Sequence, residues 1–214
     1  EDDFSSSLDD KWRTLFSNGS FEPQIVNGRL RLTPGLENIA TAVTKDYEFN
    51  SRGNIIIVEF EQFAWGGCDA ESGGTGSGLG TYGADGIVAV LYDSAVGAEP
   101  SVGSFGGSMG YAQRDNGDNG FEGAWLGLGL DEYGNFANCN EGRHGGLTGT
   151  SCDSGNDFNP QSYTNYASIR GDGNGTLGYE FLEASASLDS DPIGVLNTTT
   201  PSPGHKYRMT ADRS

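Results

Sequence analysis

Leu126-Gly127-Leu128-Gly129-Leu130-Asp131-Glu132-Tyr133-Gly134-Asn135-Phe136 brings a carboxylate, a main-chain carbonyl and a side-chain amide together in the order Asp-x-Tyr-x-Asn. These are hard oxygen donors, the ligand type that calcium takes. The run before them is too short and too glycine-rich for a helix, and Gly134-Asn135 is a turn signal. The sequence predicts a strand ending in a loop that can wrap a cation.

Further strands must position that loop. Ile55-Ile56-Ile57-Val58-Glu59-Phe60 reads as a strand, buried at first and then alternating. Gly86-Ile87-Val88-Ala89-Val90-Leu91-Tyr92 reads as a central strand, apolar on both faces. Trp125–Leu130 is another, and Arg29–Thr33 alternates over a shorter span. Residues 1–22 form a lead-in arm carrying Phe4, Leu8, Trp12, Leu15 and Phe16. Glycine-rich loops lie at 72–80, 103–107 and 142–155. No segment keeps a helical period, so the expectation is an all-β antiparallel β-sandwich. It would be one domain over 1–214, without internal repeat or linker. Gly204–Asp212 alternates like a strand that has just begun. The sandwich is therefore expected to lack its last C-terminal strands in this chain, a following segment or a second chain completing it.

A chain of 214 residues can bury a sizeable core. Its 35% hydrophobic content is too high for a disordered chain. The net charge of −18 excludes the basic footprint of a nucleic-acid binder and disfavours anionic membrane surfaces, while it suits cations. No apolar stretch reaches the length of a transmembrane helix. Cys139 and Cys152 are predicted to form a disulfide closing a polar loop, which leaves Cys68 over. Composition and that pair point to export, with reduced thiols in a cytosolic protein as the alternative.

Three motifs in order carry a resemblance: Gly83-Ala84-Asp85-Gly86 before an apolar strand, Gly106-Gly107-Ser108-Met109-Gly110-Tyr111, and Leu130–Asn135. Together they resemble the legume-type (L-type) lectins, particularly the bacterial concanavalin A-like domains of large surface adhesins and of proteins associated with the mannose-sensitive haemagglutinin pilus. Asp2-Asp3-Phe4, Trp12, Asn27–Leu32 and Thr41–Thr44 also fit. The resemblance implies a jelly roll. Asp85 would accept sugar hydroxyls, in charge-assisted bonds. Gly106 and Gly107 would offer backbone N–H to the sugar. Asp131, the Tyr133 carbonyl and Asn135 would hold Ca2+, and Tyr133 and Asn135 would border the ligand. A further acid is needed, which would be Glu141, with Asp153 and Asp157 as alternates. Gly129 stands where plant lectins carry a glutamate for a transition metal, so a single calcium is expected; His144 alone does not replace that ligand.

Each of these residues also has a plainer role: Asp85 as a turn cap, Gly106-Gly107 as a hairpin loop, Asp131 as a structural turn. A rival class is a glycoside hydrolase on the same sandwich. Its retaining form needs two carboxylates about 5–5.5 Å apart. Glu59 and Glu61 are the nearest pair, but no third acid follows in phase, and they read as solvent-facing. No enzyme is expected. Asp115–Gly120 lacks the glutamate of an EF-hand and reads as a hairpin tip. Arg170-Gly171-Asp172 reads as a chance tripeptide. Tyr82, Tyr111 and Trp65 could stack on a sugar; Trp125 reads as core. The expected function is a calcium-dependent carbohydrate-binding adhesion domain of an exported bacterial protein, extracellular or on the cell surface. Its partner would be a glycan or cell-surface glycoconjugate. A calcium-dependent peptide- or protein-binding module is the other reading.

Overall fold

A computed structural model of the chain describes residues 2–5, 7–8, 10–34, 36, 38–45, 47–65, 85–147, 164–194 and 203–214. Cys68, Tyr82, Gly83, Ala84, Cys152, Asp153 and Asp157 fall outside them. The described strands are β1 (Trp12–Asn18), β2 (Gln24–Val26), β3 (Arg29–Arg31), β4 (Ala40–Lys45), β5 (Ile55–Gln62), β6 (Gly86–Tyr92), β7 (Ala124–Asp131), β8 (Tyr166–Arg170), β9 (Gly173–Asn174), β10 (Leu177–Gly178), β11 (Phe181–Ala184) and β12 (His205–Asp212). Single 3₁₀ turns occupy Ser94–Val96 and Gly106–Ser108. All described strand pairings are antiparallel, and the chain is all-β. No described helix is long and apolar enough to cross a membrane.

Local chemistry explains the small elements. Asn27 (φ 52°) and Gly28 (φ 71°) both take positive φ, as a two-residue hairpin between β2 and β3 requires. β1 pairs β4, and side-chain bonds from Ser17 Oγ to the Gly103 carbonyl (2.7 Å) and from Thr44 Oγ1 to the Ala98 carbonyl (2.6 Å) fasten that pair to the loop after β6.

The six-stranded sheet is built around β7, which pairs with β6, β8 and β9. The centre is thus β7 rather than Gly86–Tyr92: among the described residues β6 has β7 as its one strand partner. Its apolar character on both faces reflects two covered faces, not two neighbours.

Those faces differ. Ala89, Leu91, Leu126, Leu128, Ala167 and Ile169 pack against Ile56, Val58, Phe60, Met209 and Ala211 of the β5–β12 pair. Two antiparallel sheets thus meet face to face over one apolar layer. The chain's last strand, β12, pairs β5 over its full length. β5 alternates throughout rather than starting buried: Ile55 and Ile57 are 60% and 55% exposed on its outer side.

On the sheet's other face, loops do the covering. Val88, Val90 and Tyr92 meet Tyr111, Phe121, Phe136 and Tyr179. Gly127 and Gly129 are the floor for two of these rings. A Cβ at Gly127 would stand 2.7 Å from the Tyr111 ring, and one at Gly129 would enter the Phe136 ring. Gly129→Ala is expected to cost about 2 kcal/mol through overpacking, read from the midpoint of urea unfolding.

Candidate cation and ligand site

The site is built where β6 begins and β7 ends. Gly86 lies opposite Asp131 in the ladder. The Asp85 carbonyl accepts from the Glu132 N–H (3.0 Å) and the Tyr133 N–H (3.4 Å), so Asp85 is fastened to the turn that follows β7. Gly86 has φ 144°, and a Cβ there would run into the Leu130 carbonyl. Only glycine permits that approach.

Asp131 is fully buried and organises its own turn: Oδ1 accepts from the Gly134 N–H and Oδ2 from the Ala137 N–H, both at 2.7 Å. Asn138 Nδ2 donates to the Gly134 carbonyl at 2.8 Å. The Gly106–Ser108 turn ends at Met109 in the left-handed region (φ 51°). Gly107 lies against the Asn135 side chain so closely that a Cβ would overlap it. Asp85, Gly107, Asp131 and Asn135 are thereby brought to one end of the sheet from three separate segments. Tyr133 follows on the same turn, half-buried.

Burial dominates the electrostatics. It pushes Asp131 up to about 7, against the two turn N–H bonds and the Arg143 charge, while Asp85 adds to the rise. Asp85 rises to about 6 through burial, opposed by Arg143 and reinforced by Glu141. Glu132, on the opposite face of the strand end, rises to about 7 through burial and then through Asp131 and Asp85. Three carboxylates at one strand end are short of positive charge.

Glu141 is engaged by arginines. Its Oε1 takes Arg114 Nη2 at 3.3 Å and its Oε2 takes Arg143 Nη2 at 3.0 Å. Its φ of 52° is rare for a residue with a long side chain. Arg143 has no exposed side-chain surface, and also donates to Asn135 O (3.2 Å), Ser108 Oγ (2.9 Å) and Asn140 Oδ1 (2.8 Å). In the sequence an arginine amid glycines reads as a solvated charge, so neither Arg143 nor the burial of Arg170 is signalled there. The cue available was position: Ser168 and Arg170 fall in the inward phase of β8 opposite Gly129 and Gly127.

Other candidates fall elsewhere. Tyr111 is fully buried, with its hydroxyl donating to the Gly171 carbonyl at 2.8 Å, so it offers no face to a sugar. Trp65 is 40% exposed. Trp125 packs on the inter-sheet layer beneath Arg213. His144 Nδ1 meets Glu180 Oε1 at 2.9 Å on the surface. Residues 114–118 close a turn through Arg114 N–H to the Asp118 carbonyl (3.1 Å), but among the described residues no strands flank it, so it is a loop turn rather than the expected hairpin tip. Glu59 is exposed and bonded to Arg208. Arg170 is wholly buried, which removes it from any exposed tripeptide. Cys139 is buried and disulfide-bonded.

Calcium fits this donor set in part. Among the described residues no three His, Cys, Asp or Glu side chains form a metal-holding group. Calcium, however, also takes carbonyl and amide oxygens. Asp131 is a buried carboxylate short of compensation, and each of its oxygens keeps a lone pair beyond its one N–H bond. Asn135 Oδ1 accepts from Asn140 Nδ2 at 2.9 Å and also retains acceptor capacity. Glu141 as it stands serves Arg114 and Arg143, and would have to turn from them to reach an ion.

Fold and site define an antiparallel all-β domain with a carboxylate-rich, arginine-bridged cluster at one strand end. No protein-family model matches the chain, and no curated protein matches it.

Proposed function

We propose that the chain is a non-catalytic, calcium-dependent carbohydrate-binding domain on a concanavalin A-like jelly roll, serving adhesion at the surface of an exporting bacterium. The observation that carries this reading is the convergence of Asp85, Gly107 and Asn135 on the Asp131 turn. In this reading Asp131, the Tyr133 carbonyl and Asn135 hold the ion, with Glu141 completing it. Calcium supplies the charge that the buried carboxylates lack and fixes the turn before ligand arrives, so the ordering cost does not fall on binding. Asp85 accepts from sugar hydroxyls, the Gly107 N–H donates, and Asn135 touches both ion and ligand. Glu59 and Glu61 lie on the exposed outer face of β5, where Glu59 is paired with Arg208, and this supports a binder over a hydrolase.

A glycan array run with calcium, with EDTA and with Asp85→Ala tests this. The expected result is calcium-dependent binding that weakens about 100-fold in Asp85→Ala, the loss of two charge-assisted hydrogen bonds. Binding that survives EDTA, or is indifferent to Asp85→Ala, sinks the reading. Calcium-dependent capture of peptides with a blank glycan array would transfer the site to peptide ligands.

A further inference from the structure

The proposed site has two halves, the Asp131–Asn135 turn and the Gly106–Ser108 loop, which touch where Gly107 packs on the Asn135 side chain but share few hydrogen bonds. Hydrogen bonds of residues 105–109 mostly stay local: Met109 N–H to Gly106 O, Tyr111 and Ala112 N–H to Ser108 O, and Ser108 Oγ to Gln113 O at 3.1 Å. Among the described residues, one hydrogen bond joins 105–109 to anything outside 103–113. It is Arg143 Nη1 to Ser108 Oγ, at 2.9 Å between two fully buried side chains. The same guanidinium donates Nε to the Asn135 carbonyl (3.2 Å) and Nη2 to Asn140 Oδ1 (2.8 Å) and Glu141 Oε2 (3.0 Å). A planar fork with five fixed donors can span three segments in this way; an ammonium on a flexible stem cannot.

We propose that Arg143 is the positioning residue of this site. It ties the Gly106–Ser108 loop to the Asp131–Asn135 turn, so that an ion held at the turn orders the Gly107 N–H that meets the ligand. The assignment rests on the calcium-dependent function proposed above. Arg143 touches neither ion nor ligand in this scheme; it acts through Ser108 on one side and Asn135 on the other. Its charge, held beside Asp85 and Asp131, also lets those carboxylates stand near each other. That part of its role survives in Arg143→Lys, whereas the fork does not.

The test compares the full chain with Ser108→Ala and Arg143→Lys by amide exchange of the 105–110 segment and by calcium calorimetry. In the unaltered chain, calcium should slow exchange of 105–110 about tenfold, the equivalent of one buried hydrogen bond secured. In Ser108→Ala calcium should bind within about threefold of the original affinity, and in both variants the slowing is lost; a residue that merely supported the fold would lower affinity and slowing together in Ser108→Ala as well. Should Arg143→Lys fail to fold, Ser108→Ala, which deletes a single oxygen, decides alone. Calcium uptake with the slowing intact in Ser108→Ala overturns the assignment. If the unaltered chain takes up no calcium, the proposed function fails on its own account. The link is then read without metal: both variants should exchange 105–110 about tenfold faster with β6–β8 unchanged, and equal rates would overturn it.

Discussion

Replacing Arg170 by methionine should leave no cooperatively folded domain at room temperature. Arg170 has no exposed surface, and among the described residues no carboxylate forms an ion pair with it. Its guanidinium instead serves five main-chain carbonyls: Nε to Phe136 (3.0 Å), Nη1 to His144 (2.8 Å) and Tyr179 (2.9 Å), Nη2 to Asn138 (2.8 Å) and Gly145 (3.1 Å). Four of these oxygens belong to the irregular covering loop at 136–145 and the fifth to Tyr179, between β10 and β11. The Phe136 ring lies 5.3 Å from the guanidinium carbon. Methionine fills much of the volume but donates to none of the five carbonyls, and it orphans four of them, since His144 O keeps the Phe181 N–H (2.9 Å). Each buried orphan costs about 1–3 kcal/mol, so the sum is on the order of 5 kcal/mol or more. That is comparable with the whole stability of a typical domain. Arg170→Lys should fall between, since an ammonium has three donors for five acceptors. Urea unfolding followed by circular dichroism separates the three chains; a methionine variant within about 1 kcal/mol of the original would show that the loop finds other donors.

The second large effect is on pH. In metal-free buffer the melting temperature should rise as pH falls from about 7 to about 5, by about 10 °C, and saturating calcium should flatten the profile. The sign follows from the folded-state values: about 7 for Asp131 and Glu132 and about 6 for Asp85, all above their unfolded values of 3.8 or 4.5. Between those limits the folded chain binds more protons than the unfolded one, so stability declines with rising pH. The benefit is complete below about pH 4 and gone above about pH 7. This is opposite to the usual salt-bridged carboxylate. Calcium binds the ionised forms, replacing protons as the source of positive charge. Calorimetric scans across that range with EDTA and with calcium read both limbs. A metal-free melt that is flat or climbs toward neutral pH would mean that these carboxylates are compensated in solution.

β7 and its turn were legible because their signals are local: glycine alternating with leucine, then a turn-forming Gly-Asn. The assembly of Asp85, Gly107 and Asn135 was anticipated from motif order, not from any property of one residue. What could not be read depended on partners far away in sequence. Arg143 and Arg170 are buried because loop carbonyls and carboxylates gather around them, and a charged residue on its own announces only solvent. Ile55 and Ile57 look like core residues, yet β5 has only one covered face. Gly86–Tyr92 looks central because two layers cover it. The resemblance assigns Glu141 to an ion, and nothing in the sequence announces the two arginines that it meets.

Gly127 and Gly129 carry a consequence for engineering. Because the strand presents bare backbone there, Tyr111 and Phe136 of the flanking loops supply the side chains that the strand omits. Those loops are therefore not interchangeable fingers on a fixed palm. A library diversified over residues 105–143 to change specificity would be rewriting half of the hydrophobic interior with each clone. Variation should be confined to half-buried positions such as Phe105, Arg114 and Tyr133, with Tyr111, Phe136 and Arg143 held constant.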